Sequence, residues 1–211
     1  MDYSRQLKIK VCGMRDPQNL EEVCELAPEY VGFIFYERSK RFVGKNPDPA
    51  LFDIPGSLIK KVGVFVNEEL KQVRKTIDRY GLDLVQLHGG EGEEYCRSLT
   101  KEAIEVIKAV DPRASQAELD SYTEVVDYLL FDSAGEGSGG TGRKFDWNLL
   151  ESLQLATPFL LSGGIGPDDA VRIRSLQIKS LLGVDVNSRF ELLPAQKDVE
   201  SLKHFIIELR K

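Results

Sequence analysis

The sequence predicts an α/β fold, a (β/α)8 barrel of the TIM-barrel type, from three observations. Short runs rich in β-branched and aromatic residues recur every 20–30 residues along the chain. Polar stretches with apolar residues at helical spacing separate most of these runs. The chain has 211 residues, close to the usual length of one such barrel. No linker-like stretch or change in composition divides it, so we expect a single barrel domain over residues 1–211.

Eight runs are predicted as strands, and several are apolar at nearly every position, which is typical of parallel strands covered on both faces. They are residues 7–13, 30–36, 60–67, 82–89, 104–110, 128–133, 158–164 and 181–187. An open sheet would have two edge strands, and none of the eight runs carries the charges or prolines that protect an edge. The strands are therefore expected to close into a barrel.

Helical stretches are predicted between most of these strands, because their apolar residues recur at three- and four-residue spacing. They are residues 17–27, 68–81, 93–102, 116–126 and 169–176. Pro17 and Pro167 mark two of the helix starts. The segment 44–58 contains three prolines, so the helix expected there is short or irregular.

The composition is that of a globular protein, with 42% hydrophobic and 29% charged residues and a net charge of −6. This charge argues against a nucleic-acid or anionic-membrane partner, although a local basic pocket for a small phosphorylated ligand is compatible with it. The odd number of cysteines, three, argues against a disulfide framework or a zinc ribbon. The chain shows neither a signal-peptide apolar region nor an apolar run of about 18 residues, so we expect a cytoplasmic protein.

The active site of such barrels lies at the carboxyl ends of the strands, and polar residues gather there in this sequence. The candidates for substrate contact include Gln86 and Asp185, which close the fourth and eighth strands. The glycine-rich segment 162–170 ends the seventh strand and opens a helix, where backbone N–H groups can approach a phosphate. A second such segment, 135–142, is expected to form a mobile loop over the barrel mouth, with an ordinary surface loop as the alternative.

Cys12 and Asp132 close the first and sixth strands and are expected to face each other across the barrel. Strand alternation places Lys10 on the same face as Cys12, and a nearby cation lowers the pKa of a thiol, which suits a general base. Burial of a carboxyl group favours its protonated form, which suits Asp132 as a general acid. Cys24 and Cys96 lie in helical stretches and are expected to be small core residues.

His88 closes the fourth strand and admits two interpretations. It could pair with Cys12 as a nucleophilic dyad, but such a hydrolase also needs a third orienting group and an oxyanion hole, and no motif marks them. The other interpretation is a substrate-binding or structural contact.

Eight segments, in this order, resemble phosphoribosylanthranilate isomerase of tryptophan biosynthesis. They are KVCGMR (10–15), GFIFYERSKRFV (32–43), KVGVFVN (61–67), VQLHGGE (85–91), LLFDS (129–133), GGTGRKFDW (139–147), LLSGGIGPDD (160–169) and GVDVNSRFE (183–191). They span nearly the whole chain, and the ordered set is far more specific than any one motif.

The resemblance implies a (β/α)8 barrel that performs an Amadori rearrangement of a phosphosugar without cofactor or metal, as a monomer or homodimer. It implies that Asp132 protonates the ribose ring oxygen and that Cys12 removes the C2 proton. Arg41 matches the family position that meets the anthranilate carboxylate, or is otherwise an exposed ion-pairing arginine. Gly163 and Gly164 match the backbone that binds the phosphate.

After the eighth strand the sequence departs from the family pattern. The family usually has Ser-Ser-Gly-Val-Glu, where this chain has Asn187-Ser188-Arg189-Phe190-Glu191. Loss of the glycine limits close approach of the backbone to phosphate. Ser188 keeps its place as a substrate-binding candidate, and Arg189 either supplies charge to the phosphate or points to solvent.

Two other functions stay open from the sequence. One is the related sugar-phosphate isomerase of histidine biosynthesis, which has aspartate where this chain has Cys12. The other is a non-catalytic sugar-phosphate-binding barrel. Loss of Cys12 or Asp132 would have indicated that function, and both residues are present.

Overall fold

Eight parallel strands close into a barrel in the computed structural model, which describes residues 6–132 and 145–211. Each strand pairs with the next along the chain, and the eighth pairs with the first. They are Lys8–Cys12 (β1), Tyr30–Ile34 (β2), Lys60–Phe65 (β3), Leu84–Leu87 (β4), Glu105–Val110 (β5), Tyr128–Phe131 (β6), Phe159–Leu161 (β7) and Leu181–Val186 (β8). Every one lies inside a predicted run, so the predicted barrel is confirmed.

Strand alternation divides the apolar residues into two cores. One cluster fills the barrel interior and consists of Tyr30, Val62, Leu84, Ile107, Leu130 and Leu160. A larger cluster, which includes Val85, Phe131 and Phe159, packs on the outer face of the strands against the helices. Because both faces are covered, the strands have the nearly continuous apolar character that the sequence showed.

Six α-helices in the described residues lie within the stretches predicted for them or in the C-terminal segment. They are Pro17–Cys24 (α1), Leu70–Tyr80 (α2), Glu93–Thr100 (α3), Gln116–Tyr122 (α4), Ala170–Ser175 (α5) and Val199–Leu209 (α6). Asp16 caps α1, since its carboxylate accepts from the backbone N–H of Asn19 at 2.8 Å. Gly81 ends α2 in the left-handed conformation, with φ of 56°.

Shorter 3-10 helices occur where the barrel is least regular. Pro49–Phe52 follows β2 inside the proline-rich segment, as predicted, and Trp147–Ser152 stands before β7. Pro167–Asp169 leads into α5. The glycine-rich segment 135–142 lies outside the described residues. No helix in the described ranges is long and apolar enough to cross a membrane.

An antiparallel hairpin after β8 was not predicted. Its strands are Glu191–Leu193 (β9) and Gln196–Lys197 (β10), and a 3-10 helix, Ser188–Phe190, precedes them. Pro194, at the hairpin turn, lines the cavity at the mouth of the barrel, so this hairpin contributes to the site.

Candidate active site

A cavity of about 430 Å³ opens at the carboxyl ends of the strands. Of the ten site residues predicted from the sequence, all except Arg189 line it. They are Cys12, Arg41, Gln86, His88, Asp132, Gly163, Gly164, Asp185 and Ser188. They come from six different strands or the loops after them, which explains why their proximity requires the closed barrel.

Arg189 lies on the 3-10 helix after β8, and its side chain is exposed. It is not among the residues that line the cavity. Its predicted contact with a phosphate stays a prediction, and the structure favours the solvent-facing alternative.

Cys12 lies at the floor of the cavity, where it is 3% exposed. Lys10 stands two residues before Cys12 on the same face of β1 and is fully buried. Its Nζ donates to Oδ1 of Asp185 at 2.8 Å. A Cβ on Gly32 would lie 2.8 Å from Sγ of Cys12 and 3.2 Å from Nζ of Lys10. The thiol and the ammonium group therefore face the same point beside β2.

The pKa of Cys12 is raised, not lowered as the sequence suggested. Burial raises the pKa of the thiol, and this effect outweighs the lowering by Lys10 and Lys197. Although burial opposes its charge, the Asp185 carboxylate holds the pKa of Lys10 above its usual value, so the ammonium group stays charged. The thiol is accordingly protonated at neutral pH, with a cation beside it.

Asp132 follows β6 and lies next to His88 in the cavity lining. Oδ2 of Asp132 lies 3.2 Å from Nε2 of His88, and Nδ1 of His88 lies 2.9 Å from Nε2 of Gln86. The imidazole is thus grouped with Gln86 and Asp132 and not with the thiol of Cys12, which argues against the nucleophilic dyad.

Two polar atoms of this group are buried without a hydrogen-bond partner in the described residues. They are Oε1 of Gln86 and Nε2 of His88, whose contact with Asp132 is close but not aligned as a hydrogen bond. Buried polar atoms in native proteins are nearly always hydrogen-bonded, so unpaired ones in a cavity wall indicate positions for ligand atoms.

The loops after β7 and β8 lie side by side at one end of the cavity. Gly163 and Gly164 both have positive φ, 84° and 69°, a conformation that favours glycine and leaves the backbone open to close approach. The following turn is closed by Asp169, whose Oδ2 accepts from the N–H of Gly166 at 2.7 Å. Ser188, in the loop after β8, lines the same cavity as these glycines.

Arg41 lies at the mouth and is paired with Glu191, which the sequence analysis had not singled out. Nε of Arg41 donates to Oε1 of Glu191 at 2.8 Å, and Nη2 donates to Oε2 at 2.6 Å. Lys197 donates to the same carboxylate at 2.8 Å. Burial favours protonation of Glu191, but hydrogen bonds from Arg41 and the charge of Lys197 keep its pKa below the usual value.

A second network fixes the loop that carries His88. The carboxylate of Glu91 accepts from the N–H groups of Asn67 and Gly89, at 2.7 and 2.9 Å, and from Lys108 at 3.1 Å. Lys108 also donates to the carbonyl oxygen of Gly89 at 2.6 Å. The sequence contained Glu91 in its HGGE motif but gave no signal for this pairing with β5. Within residues 6–132 and 145–211 no cluster of three or more His, Cys, Asp or Glu side chains is arranged to hold a metal ion.

Comparison with known proteins agrees with this geometry. The model of the N-(5'-phosphoribosyl)anthranilate (PRA) isomerase family matches residues 9–208. The chain is 46% identical to the N-(5'-phosphoribosyl)anthranilate isomerase of Parabacteroides distasonis over 205 residues, which are 95% of this chain and 92% of that protein.

Solved structures give the same result. Monomers generated from the dimeric phosphoribosylanthranilate isomerase of Thermotoga maritima superpose with a TM-score of 0.75 at 31% identity, over 96% of this chain and 98% of theirs. A phosphoribosylanthranilate isomerase bound to reduced 1-(o-carboxyphenylamino)-1-deoxyribulose 5-phosphate superposes with a TM-score of 0.75 at 30% identity, with the same coverage.

Proposed function

The chain belongs to the N-(5'-phosphoribosyl)anthranilate isomerase family, and from this premise we propose that Cys12 and Asp132 carry the proton transfers of its reaction. The enzyme converts N-(5'-phosphoribosyl)anthranilate, an aminoaldose, into 1-(2-carboxyphenylamino)-1-deoxy-D-ribulose 5-phosphate, an aminoketose, in tryptophan biosynthesis. The observation that supports the two assignments is their placement: the thiol closes β1 and the carboxyl group follows β6, and both line one cavity.

The chemistry requires one acid and one base. A proton from the Asp132 carboxyl group to the ribose ring oxygen lets the bond from that oxygen to C1 break, and the nitrogen lone pair forms the C1=N Schiff base. In enzyme molecules whose Cys12 has lost its proton, the thiolate then removes the proton from C2. The C–H electron pair forms the C1=C2 bond while the C1=N pair returns to nitrogen, which gives an enolamine. Tautomerisation, with loss of the enol proton and protonation of C1, yields the ketone. These steps require no cofactor or metal.

The remaining predicted residues are proposed to hold the two anionic ends of the substrate. Gly163, Gly164 and Ser188 are proposed to bind the phosphate, which is supported by their position in the cavity lining after β7 and β8. Arg41 is proposed to bind the anthranilate carboxylate, because a guanidinium group is suited to bidentate pairing. The unpaired atoms of Gln86 and His88 are available to the ribose part of the substrate.

Asp185 is proposed to support the site without binding the substrate directly, since its carboxylate is already paired with Lys10. Lys10 donates to Oδ1 at 2.8 Å, and the Ser162 hydroxyl lies 3.5 Å from Oδ2. The two alternative functions lose support here, because the family match is to the PRA isomerases and both Cys12 and Asp132 line the cavity.

The test is the activity of two variants with freshly prepared substrate, followed by the loss of anthranilate fluorescence in the presence of a metal chelator. Cys12→Ala and Asp132→Asn should each lower kcat by about 10²- to 10⁴-fold, with smaller effects on KM, as expected for general acid–base groups. Near-normal kcat in either variant would remove that residue from the mechanism, and loss of wild-type activity in chelator would contradict the metal-free reaction.

Assembly and location extend the proposal. A homodimer is supported by the dimeric Thermotoga maritima relative, with a monomer as the alternative, and light scattering distinguishes the two. A cytoplasmic location is supported by the role of the family in amino-acid biosynthesis.

A further inference from the structure

One edge of the Arg41 guanidinium is already occupied by a carboxylate of the protein itself. Nε and Nη2 of Arg41 donate to the two oxygens of Glu191. A guanidinium group has five N–H donors in a planar fork, so this pairing leaves the adjacent edge, formed by Nη1 and Nη2, for a second carboxylate. Arg41 lines the cavity, so its remaining donors are the ones that a ligand can meet.

Glu191 is itself held in place from several directions. Its Oε1 accepts from Nζ of Lys197 at 2.8 Å and from the N–H of Ala195 at 3.1 Å. Nζ of Lys197 also donates to Oδ1 of Asn187 at 2.7 Å, and the backbone N–H of Lys197 donates to Asn19 at 2.6 Å. The hairpin β9–β10 is thereby attached to both β8 and α1, and it presents the Glu191 carboxylate to Arg41.

The cluster of Arg41, Glu191 and Lys197 is buried, and burial lowers the pKa of Lys197 while Glu191 opposes this effect. With Lys197 protonated, the cluster carries one net positive charge. The side chains are 11%, 4% and 0% exposed, respectively. Two cations balance one carboxylate there, and an incoming carboxylate would make the cluster neutral. Because water is largely excluded, both the orientation and the charge of Arg41 matter more than they would at the surface.

We propose that Glu191, fixed by Lys197, is a positioning residue that orients Arg41 toward the substrate carboxylate and so makes the site selective for carboxylated substrates. The inference rests on the proposed role of Arg41 in carboxylate binding. The competing interpretation is that Glu191 only anchors the hairpin, without effect on ligand selectivity.

The substitution Glu191→Gln separates orientation from charge, because the two effects have opposite signs. It keeps the shape of the side chain but raises the net charge of the cluster from one to two positive charges. If charge alone mattered, a carboxylated ligand would bind more tightly. If Glu191 orients Arg41, the same ligand binds more weakly, since the guanidinium is no longer held in a bidentate geometry.

The measurement is the ratio of two dissociation constants, determined by calorimetry. One probe is the reduced reaction product, 1-(2-carboxyphenylamino)-1-deoxyribitol 5-phosphate, and the other is its phenyl analogue without the carboxyl group. In wild type the carboxylated probe should bind about 10- to 100-fold more tightly. Glu191→Gln should abolish most of this preference, while affinity for the phenyl probe changes less than about twofold.

Glu29→Gln is the matched control, since Glu29 also pairs with an arginine, Arg210, at 3.0 Å, but does not line the cavity. Its preference should equal that of wild type. If Glu191→Gln does not fold, the double substitution Glu191→Gln with Lys197→Met keeps one positive charge in the cluster and has the same expected loss.

Arg41→Ala separates failure of this inference from failure of the proposed function. If wild type and Arg41→Ala show the same preference, then Arg41 does not bind the carboxylate and the proposed role of Arg41 is wrong. If Arg41→Ala loses the preference but Glu191→Gln keeps or increases it, Arg41 binds the carboxylate without help from Glu191, and the positioning role is overturned.

Discussion

Replacement of Lys10 by methionine tests whether Lys10 lowers the pKa of the buried thiol of Cys12, the proposed base. The substitution keeps most of the length of the side chain and removes the cation that faces Sγ from the same strand. The thiol pKa is already above its ordinary value of 9.0, because burial outweighs the two lysines. Without Lys10 it should rise further, since the thiolate loses its nearest positive charge.

The magnitude follows from the geometry around Gly32. Sγ of Cys12 and Nζ of Lys10 lie 2.8 and 3.2 Å from one point, so they are at most about 6 Å apart. Two unit charges at that distance interact by about 3 kcal/mol in a medium of effective dielectric constant near 20, or about two pKa units. Asp185 limits the effect, because its carboxylate partly neutralises the charge of Lys10. We therefore expect the pKa of Cys12 to increase by about one to two units.

The assay is the rate of alkylation of Cys12 by iodoacetamide against pH, measured by peptide mass spectrometry. In wild type the rate should still be increasing at pH 9.0, and in Lys10→Met the curve should move to higher pH. Cys24 is an internal control, since its pKa, raised to about 11 by burial and Glu21, does not depend on Lys10. An unchanged Cys12 curve would refute the reasoning.

The fold of the variant needs its own safeguard. Lys10→Met leaves the buried Asp185 carboxylate without its partner, which typically costs about 3–5 kcal/mol. The double substitution Lys10→Met with Asp185→Asn keeps this place neutral, and the Cys12 pKa should rise there too. The effect should then be smaller than in the single variant, because the negative charge of Asp185 is also gone.

Two further predictions concern residues near the proposed base and the proposed phosphate site. Gly32→Ala should reduce kcat by at least about tenfold, because the new Cβ would lie 2.8 Å from Sγ of Cys12 and displace the thiol. The control in the same steady-state assay is Gly92→Ala, whose new Cβ contacts nothing within 4 Å. Arg189→Ala should change KM less than about twofold in low-salt buffer, as expected of an exposed side chain outside the cavity lining; a tenfold increase would show that Arg189 reaches the phosphate.

The barrel could be predicted because several of its strands are apolar at nearly every position and recur at regular spacing along the chain. The irregular parts gave weaker signals. The hairpin β9–β10 has strands of three and two residues, too short for a periodic pattern. The sequence also gives no signal for its turn. Ala195 adopts a φ of 68°, a conformation in which glycine is the usual residue.

The site residues at the strand ends could be predicted from position, but their partners could not. Arg41 and Glu191 are 150 residues apart in the chain, and Lys10 and Asp185 are 175 apart. No local pattern links such pairs, and they meet because the barrel closes β8 on β1. The predicted direction of the Cys12 pKa shift was wrong for a related reason. The depth of burial, which raises this pKa, depends on the whole fold.

The proposed proton transfer and the proposed binding of the substrate carboxylate depend on different kinds of structure in this barrel. Cys12 ends a strand that is hydrogen-bonded on both sides, and Asp132 directly follows another, so the distance between acid and base is fixed by the barrel. Arg41 and Glu191 belong to a loop and a hairpin outside the barrel wall. Changes at Cys12 and Asp132 should therefore appear mainly in kcat, and changes in the hairpin cluster mainly in ligand preference. A hairpin variant that lowered kcat with an unchanged ligand preference would contradict this division.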